Sequence, residues 1–303
     1  NVKKWIKTVL CIVLALVLLA VGYVAYVFID YHRIGDMALT PVNADAASPA
    51  VTTGTPYTAV SYNIGFGAYE DDYGFFMDGG TESRAWSEAR LTENLTEIGS
   101  FLQEQAADFY LVQEVDMGST RTYQVDERPY ITDALPGLSS VFCQNYDSPY
   151  LFYPLTRPHG ASRSGLLTLS AAGITAASRV ELPVEGGFMK LLDLDRCYSV
   201  SRIPVDGGGE LVLYDLHLSA YTSDGTIATE QLKLLLADMQ AEYEKGNWCV
   251  AGGDFNKDLL GDSSLYFGAA DKEYSWAQPI PDGVFDNTDV TLVAPLDENA
   301  PVP

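Results

Sequence analysis

Twenty-two consecutive residues, Thr8 to Ile29, carry no charge. At a rise of about 1.5 Å per residue they make a helix long enough to cross a hydrocarbon core of about 30 Å. Lys3, Lys4 and Lys7 precede the run, and Trp5, Tyr23 and Tyr26 stand near its ends, where amphipathic rings anchor a span at the interface. A cleaved leader would need an apolar stretch of about 7 to 15 residues with a small-residue cleavage site close behind. Here the run is longer, and Asp30, His32 and Arg33 follow it directly. Residues 1–29 are therefore read as an uncleaved, single-pass anchor in the cytoplasmic membrane. The basic residues before it place the N-terminus inside and the remainder outside.

Residues 30–55 are small, polar and Pro-containing, and read as a linker. Residues 56–303 are enough for one large domain with its own core. Strand and helix signals alternate along it. β-branched and aromatic runs at 57–64 and 108–115 flank a helix over 83–105, with Leu91, Leu95, Ile98 and Leu102 at helical spacing. Strand-like segments follow at 138–143, 164–170, 174–182, 189–194, 197–205 and 210–218. A helix over 226–245 closes on Gly246, and a last strand covers 247–255. Helix and strand alternate at both ends around a strand-rich middle, which predicts an α/β layered sandwich with mixed sheets.

Four of these runs finish on polar residues: Asn63 in "SYNI", Glu114 in "VQEV", His217 in "YDLHLSA", and Asp254 with Asn256 in "GGDFN". In open α/β sheets the C-terminal edge of the strands is where ligands bind. Singly, each has a plain structural explanation: a turn residue, a solvated strand end, a satisfied core histidine. Together, in this order, they resemble the endonuclease/exonuclease/phosphatase family, which includes DNase I-like nucleases, inositol polyphosphate 5-phosphatases and neutral sphingomyelinases. The resemblance covers about residues 57 to 256, and "SGLLTLS" (164–170) is similar to the family's central strand. It implies a four-layer α/β sandwich of DNase I-like type and metal-dependent hydrolysis of a phosphodiester or phosphomonoester.

That chemistry suits these residue types. A phosphoester resists water because its oxygens are negative, and Mg²⁺, with Mn²⁺ as an alternative, neutralises them and calls for oxygen ligands. Glu114 is the expected principal ligand, with the Asn63 amide oxygen beside it. Asp254 is expected to orient or deprotonate the attacking water. Asn256 and His217 are expected to donate to non-bridging oxygens, with added charge if His217 is protonated. Strand alternation would point Asp254 and Asn256 the same way and Phe255 into the core. Arg163 is a candidate phosphate clamp, against the plain reading of an exposed loop arginine. Asp215, two residues before His217 on the same face, is a candidate to orient the imidazole or contact substrate, against the plain reading of ordinary strand polarity.

Lys and Arg number 18 against 41 Asp and Glu, a net charge of -23. Such a chain repels phosphate backbones at long range. A lipid headgroup or small phosphoester is thus favoured over nucleic acid, with a DNase-type nuclease as the alternative within the enzyme reading. A surface binding module without turnover is the alternative outside it. The chain is expected to be a monomer. Cys143 and Cys197 either pair in an external domain or stay buried thiols. The family's closing "SDH" motif does not occur: the histidines are His32, His159 and His217. The expectation is that the sequence stops short of that strand.

Overall fold

The computed structural model of the protein describes residues 2–43, 48–186, 194–220, 226–259 and 277–293. Helix α1 (Val2–Asp30) comes first. Among the described residues it is the one helix long and apolar enough to cross a membrane. Then follow β1 (Met37–Leu39), β2 (Val51–Thr52), β3 (Ala59–Asn63), α2 (Glu88–Gln105), β4 (Phe109–Asp116), α3 (Arg128–Thr132), β5 (Ser139–Asp147) and β6 (Arg163–Ser170). The second half holds β7 (Ala176–Glu181), β8 (Cys197–Asp206), β9 (Glu210–His217), α4 (Thr226–Glu244), β10 (Trp248–Asp254), β11 (Lys257–Asp258) and β12 (Gln278–Pro279).

Two mixed sheets form the centre. The first runs β3-β4-β6-β5, the second β1-β7-β8-β9-β10 with β2 paired to β8. β3 lies parallel to β4, and β9 parallel to β10. Side chains alternate across each strand, and the alternation separates the layers. Tyr110 and Val112 of β4 pack with Leu91, Leu95 and Leu102 of α2 and Ile131 of α3. Their neighbour Phe109 faces the other way, with Ile203, Leu211 and Leu213 of the second sheet. Val212, Tyr214 and Leu216 of β9 turn outward onto Leu232, Leu235, Leu236 and Met239 of α4. Helices, sheet, sheet and helix make a four-layer α/β sandwich.

Two expectations change, and a third lies outside the described residues. The helix expected over 83–105 starts at Glu88, because the Ser87 hydroxyl accepts from the Arg90 N–H and caps the first turn there. The segment 30–55 is no free linker: β1 pairs antiparallel with β7, Val42 exchanges hydrogen bonds with Ser140, and β2 pairs with β8. The buried Arg179 guanidinium fastens it further, donating to the carbonyls of Ile34 and Gly35. The strand expected at 189–194 lies outside the described residues except Leu194, which is in no strand. Cys143 and Cys197 are both free and buried, facing each other between the sheets with their Sγ atoms 3.6 Å apart.

Candidate active site

The C-terminal ends of β3, β4, β9 and β10 converge from both sheets on one cleft of about 460 Å³. Asn63, Glu114, His217, Asp254 and Asn256 all line it. The parallel register sets Asp254 opposite His217 on the neighbouring strand. Asn63 closes the gap between the sheets: its amide NH₂ donates to Glu114 Oε1 at 3.0 Å and to Asp254 Oδ2 at 2.9 Å. Its Oδ1 accepts from the Gly65 N–H at 2.9 Å. A backbone N–H can only donate, so this contact fixes which end of the amide is oxygen. Asn63 Oδ1, the expected metal ligand, already holds one hydrogen bond here and keeps a second lone pair. That oxygen is turned to the backbone, and Asn63 offers donors to two carboxylates.

Glu114 reaches the cleft through an irregularity. On a regular strand Gln113 and Glu114 would point to opposite faces, the second towards α2. The register of β4 with β6 shifts between Val112 and Val115, and Glu114 has φ 58, in the left-handed region. Such a bulge re-aims a side chain, and for a non-glycine residue it stores strain of about 1–3 kcal/mol. Burial in the cleft wall pushes the Glu114 carboxyl above its ordinary range, although Arg121 and the Asn63 amide pull the other way.

The "GGDFN" turn works differently from strand alternation. β10 stops at Asp254, and Asn256 has φ 48. The Asn256 N–H donates to Asp254 Oδ1 at 2.9 Å, and its amide donates to the Leu218 carbonyl at 2.9 Å. An Asx turn, not the period of a strand, brings both residues to the cleft. Phe255 does pack into the core beneath α4. Gly253 is obligatory: with φ 142, a Cβ there would sit 2.1 Å from the Leu216 carbonyl oxygen.

Burial opposes ionisation of Asp254, but the His217 ring, the Asn63 amide and the Asn256 N–H outweigh it and hold the carboxyl below its ordinary value. His217 is 4% exposed, with Nε2 3.7 Å from Asp254 Oδ2 and Nδ1 without a hydrogen-bond partner among the described residues. Burial and then Arg196 push its pKa down to about 3. Both causes favour the neutral imidazole over the added charge that protonation would bring. Positive charge is supplied by Arg121 and Arg196, both lining the cleft. Arg121 is buried, its Nε and Nη2 bound to Asp116 at 2.9 and 2.8 Å and its guanidinium carbon 3.8 Å from the Phe66 ring centroid.

Two expected residues stand elsewhere. Arg163 does not line the cleft: its side chain is 59% exposed and lies 3.7 Å from Asp147 Oδ1. Asp215 shares the inward face of β9 with His217 but lies deeper, fully buried, accepting from Gln113 Nε2 at 2.7 Å and Thr168 Oγ1 at 3.2 Å. Arg121 escaped sequence reading because a loop arginine beside acids looks solvated. The signal was Asp116, a second acid at the end of the same buried strand.

No protein-family model matches the chain, and no curated protein matches it in sequence. Several solved structures are similar to it. The resemblance is one of fold. An endonuclease/exonuclease/phosphatase from Beutenbergia cavernae shares 19% identity at TM-score 0.41, covering 59% of this chain and 43% of its own. Sphingomyelinase C from Streptomyces griseocarneus shares 16% at TM-score 0.43, over 67% and 66% of the two chains. A mannosyl-6-phosphatase from Bacteroides thetaiotaomicron shares 17% at TM-score 0.43, over 68% and 67%. The chain thus spans less than half the length of the first and about two thirds of the others.

Proposed function

We propose that the protein is a phosphoric ester hydrolase that works with Mg²⁺ on the outer side of the cytoplasmic membrane. One observation carries the reading: four strand ends from two sheets bring Asn63, Glu114, His217 and Asp254 to one cleft, with the Arg121 and Arg196 guanidinium groups beside them. Two carboxylates would repel a phosphoester on their own. The guanidinium groups offset that repulsion on the substrate side, and Glu114 marks where a cation belongs. Mg²⁺ is ordinarily held by one or two carboxylates, with water and substrate oxygens completing its shell. Among the described residues no group of three or more His, Cys, Asp and Glu gathers as a cation cage. A single carboxylate raised by burial, with one hydrogen bond, fits that donor set. When bound, the ion would neutralise phosphoryl oxygens and the leaving group.

The chain's own residues divide the remaining work. Asp254, its carboxyl held below its ordinary value, lines the cleft, where it can orient a water and accept its proton. Asn63 holds Glu114 and Asp254 at a fixed spacing. His217 contributes a neutral imidazole at the edge of Asp254, suited to a hydrogen bond rather than to charge. Asn256 locks the Asp254 carboxylate through its N–H. The test is hydrolysis of bis-p-nitrophenyl phosphate and p-nitrophenyl phosphate by the full chain, with Mg²⁺ and with EDTA. Turnover that needs Mg²⁺ and falls by at least about 100-fold in Glu114→Gln supports the reading. No turnover with either ester, or turnover indifferent to EDTA and to Glu114→Gln, overturns it.

A further inference from the structure

The loop joining β5 to β6 carries "YLFYPL" at 150–155, an apolar and aromatic tip on a strongly acidic chain. Phe152 is 52% exposed, Tyr153 67% and Leu155 85%. The only residues of α1 that are even half-buried are Tyr23 and Val27, in its last two turns. Tyr23 meets this loop: its hydroxyl donates to the Tyr150 carbonyl at 3.1 Å and accepts from the Phe152 N–H at 3.3 Å, and the Tyr23 and Phe152 rings stack edge-on at 5.3 Å. The Tyr26 hydroxyl accepts from the Tyr150 N–H at 3.0 Å. From Trp5 to Tyr23 the helix rises about 27 Å, close to the thickness of a hydrocarbon core. Trp5 then marks the inner interface, and Tyr23 and Tyr26 the outer one.

We infer that residues 150–155 sit in the outer interface of the membrane that α1 crosses, and that they hold the cleft against the lipid surface, so that the phosphoester it takes is carried on an amphiphile in that leaflet. The occupant of the apolar tip follows from continuity: the loop is bonded to the exit turn of the span itself. The cleft is near on two sides. Tyr153 lies 5.7 Å from Phe76, which lies 4.9 Å from Phe75 in the cleft wall. Arg33, three residues past α1, donates to the carbonyl of Leu194, another cleft residue, at 3.2 Å. Aromatic rings with one wet end suit the headgroup region, and an apolar face seated there adds affinity and fixes orientation.

The inference rests on the phosphoesterase reading for its substrate and on α1 as a span for its depth. It is tested on the full chain in vesicles of phosphatidylglycerol and phosphatidylethanolamine. Leu155→Cys, with Cys11→Ser and Cys249→Ser, carries a nitrobenzoxadiazole label, and the vesicles contain lipids spin-labelled near the headgroup. Quenching at residue 155 is expected, with little at the same label on Asp206→Cys, the last residue of β8. In a second arm Phe152→Ser with Tyr153→Ser should lower hydrolysis of the vesicle phospholipid about tenfold. It should leave hydrolysis of soluble bis-p-nitrophenyl phosphate unchanged, since neither residue lines the cleft. An unquenched label overturns the docking whatever the chemistry. Quenching without hydrolysis of either ester upholds the docking and sinks the enzyme reading. Equal loss on both esters, or on neither, overturns presentation of a lipid substrate.

Discussion

Gln113 and Glu114 are neighbours on β4, and Asp215 and His217 are neighbours on one face of β9, yet they belong to two different polar layers. In the inner layer Gln113 donates to Asp215, Thr168 donates to its other oxygen, and Thr168 and Ser199 share a further contact at 3.3 Å. All four are buried and the network is closed. At the strand ends, one step on, His217 Nδ1 has no partner among the described residues, and burial raises Glu114 although Arg121 and Asn63 lower it. A satisfied polar layer holds two sheets in one register. An incomplete one is poised to take up something from outside. The two layers thus differ in how far their hydrogen bonds are met among the described residues.

The strongest way to break this comparison is to neutralise one acid in each layer. Glu114→Gln should lower kcat/KM on a soluble phosphodiester with Mg²⁺ by about 10²- to 10⁴-fold while leaving the melting temperature unchanged or higher. Asp215→Asn keeps the shape and should change kcat/KM by less than about threefold, as expected of a substitution away from the reacting atoms. A large activity loss in Asp215→Asn, matching that of Glu114→Gln, would merge the two layers into one functional unit.

The pair at the cleft wall comes next. Arg121 and Asp116 are both buried and bonded through two parallel contacts. Removing one member of such a pair leaves an uncompensated charge and costs about 3–5 kcal/mol. Arg121→Met should therefore lower stability in urea unfolding by that order, and adding Asp116→Asn should recover much of it. Because Arg121 also lines the cleft, the double variant should stay folded yet bind substrate poorly, seen as a raised KM. Full recovery of KM would make Arg121 purely structural.

The strand ends were legible in the sequence for a simple reason. An apolar run that stops on Asn, Glu, His or Asp must end where its last side chain meets something polar, and four such stops in one chain imply a shared edge. Depth was not legible. Asp215 does share the face of His217, but two residues along a strand move a side chain about 7 Å, from cleft to interior. The bonds of the Asn63 amide were not legible, because its orientation depends on the Gly65 N–H, a tertiary detail. Arg163 was overrated because the start of a strand does not disclose which side its side chain takes. Residues 37–52 were read as a linker because their strands are two and three residues long, too short to show a period.

A smaller, pH-dependent difference sharpens the comparison further. Burial pushes the Asp215 carboxyl up to about 8, although Gln113 and Thr168 donate to it. In the unfolded chain it titrates near the ordinary 3.8. Between these values the folded state binds more protons than the unfolded one, so stability falls as pH rises. One group can contribute at most about 1.4 kcal/mol per pH unit. The melting temperature of the parent chain should drop from pH 5 towards pH 8 more steeply than that of Asp215→Asn, and the two slopes should agree below pH 4. Parallel slopes throughout would mean that the inner layer holds an ionised carboxylate.

The smallest effect belongs to Arg163. Its side chain is 59% exposed, and its partner Asp147 is shared with His32 Nε2 at 3.5 Å. An exposed ion pair of this kind contributes about 0–1 kcal/mol, less in salt. Arg163→Ala should thus change unfolding free energy by no more than about 0.5 kcal/mol, as for surface substitutions generally, and kcat/KM on a soluble phosphodiester by less than about twofold. Set beside Arg121→Met it isolates position from charge: the same cation is lost from the chain, once inside the cleft wall and once outside it. A tenfold loss of kcat/KM in Arg163→Ala would extend the site across the start of β6 and restore the clamp that the sequence first suggested. A tenfold loss that appears only with vesicle lipid would instead place Arg163 on the membrane-facing rim, beside His32 and the exit of α1.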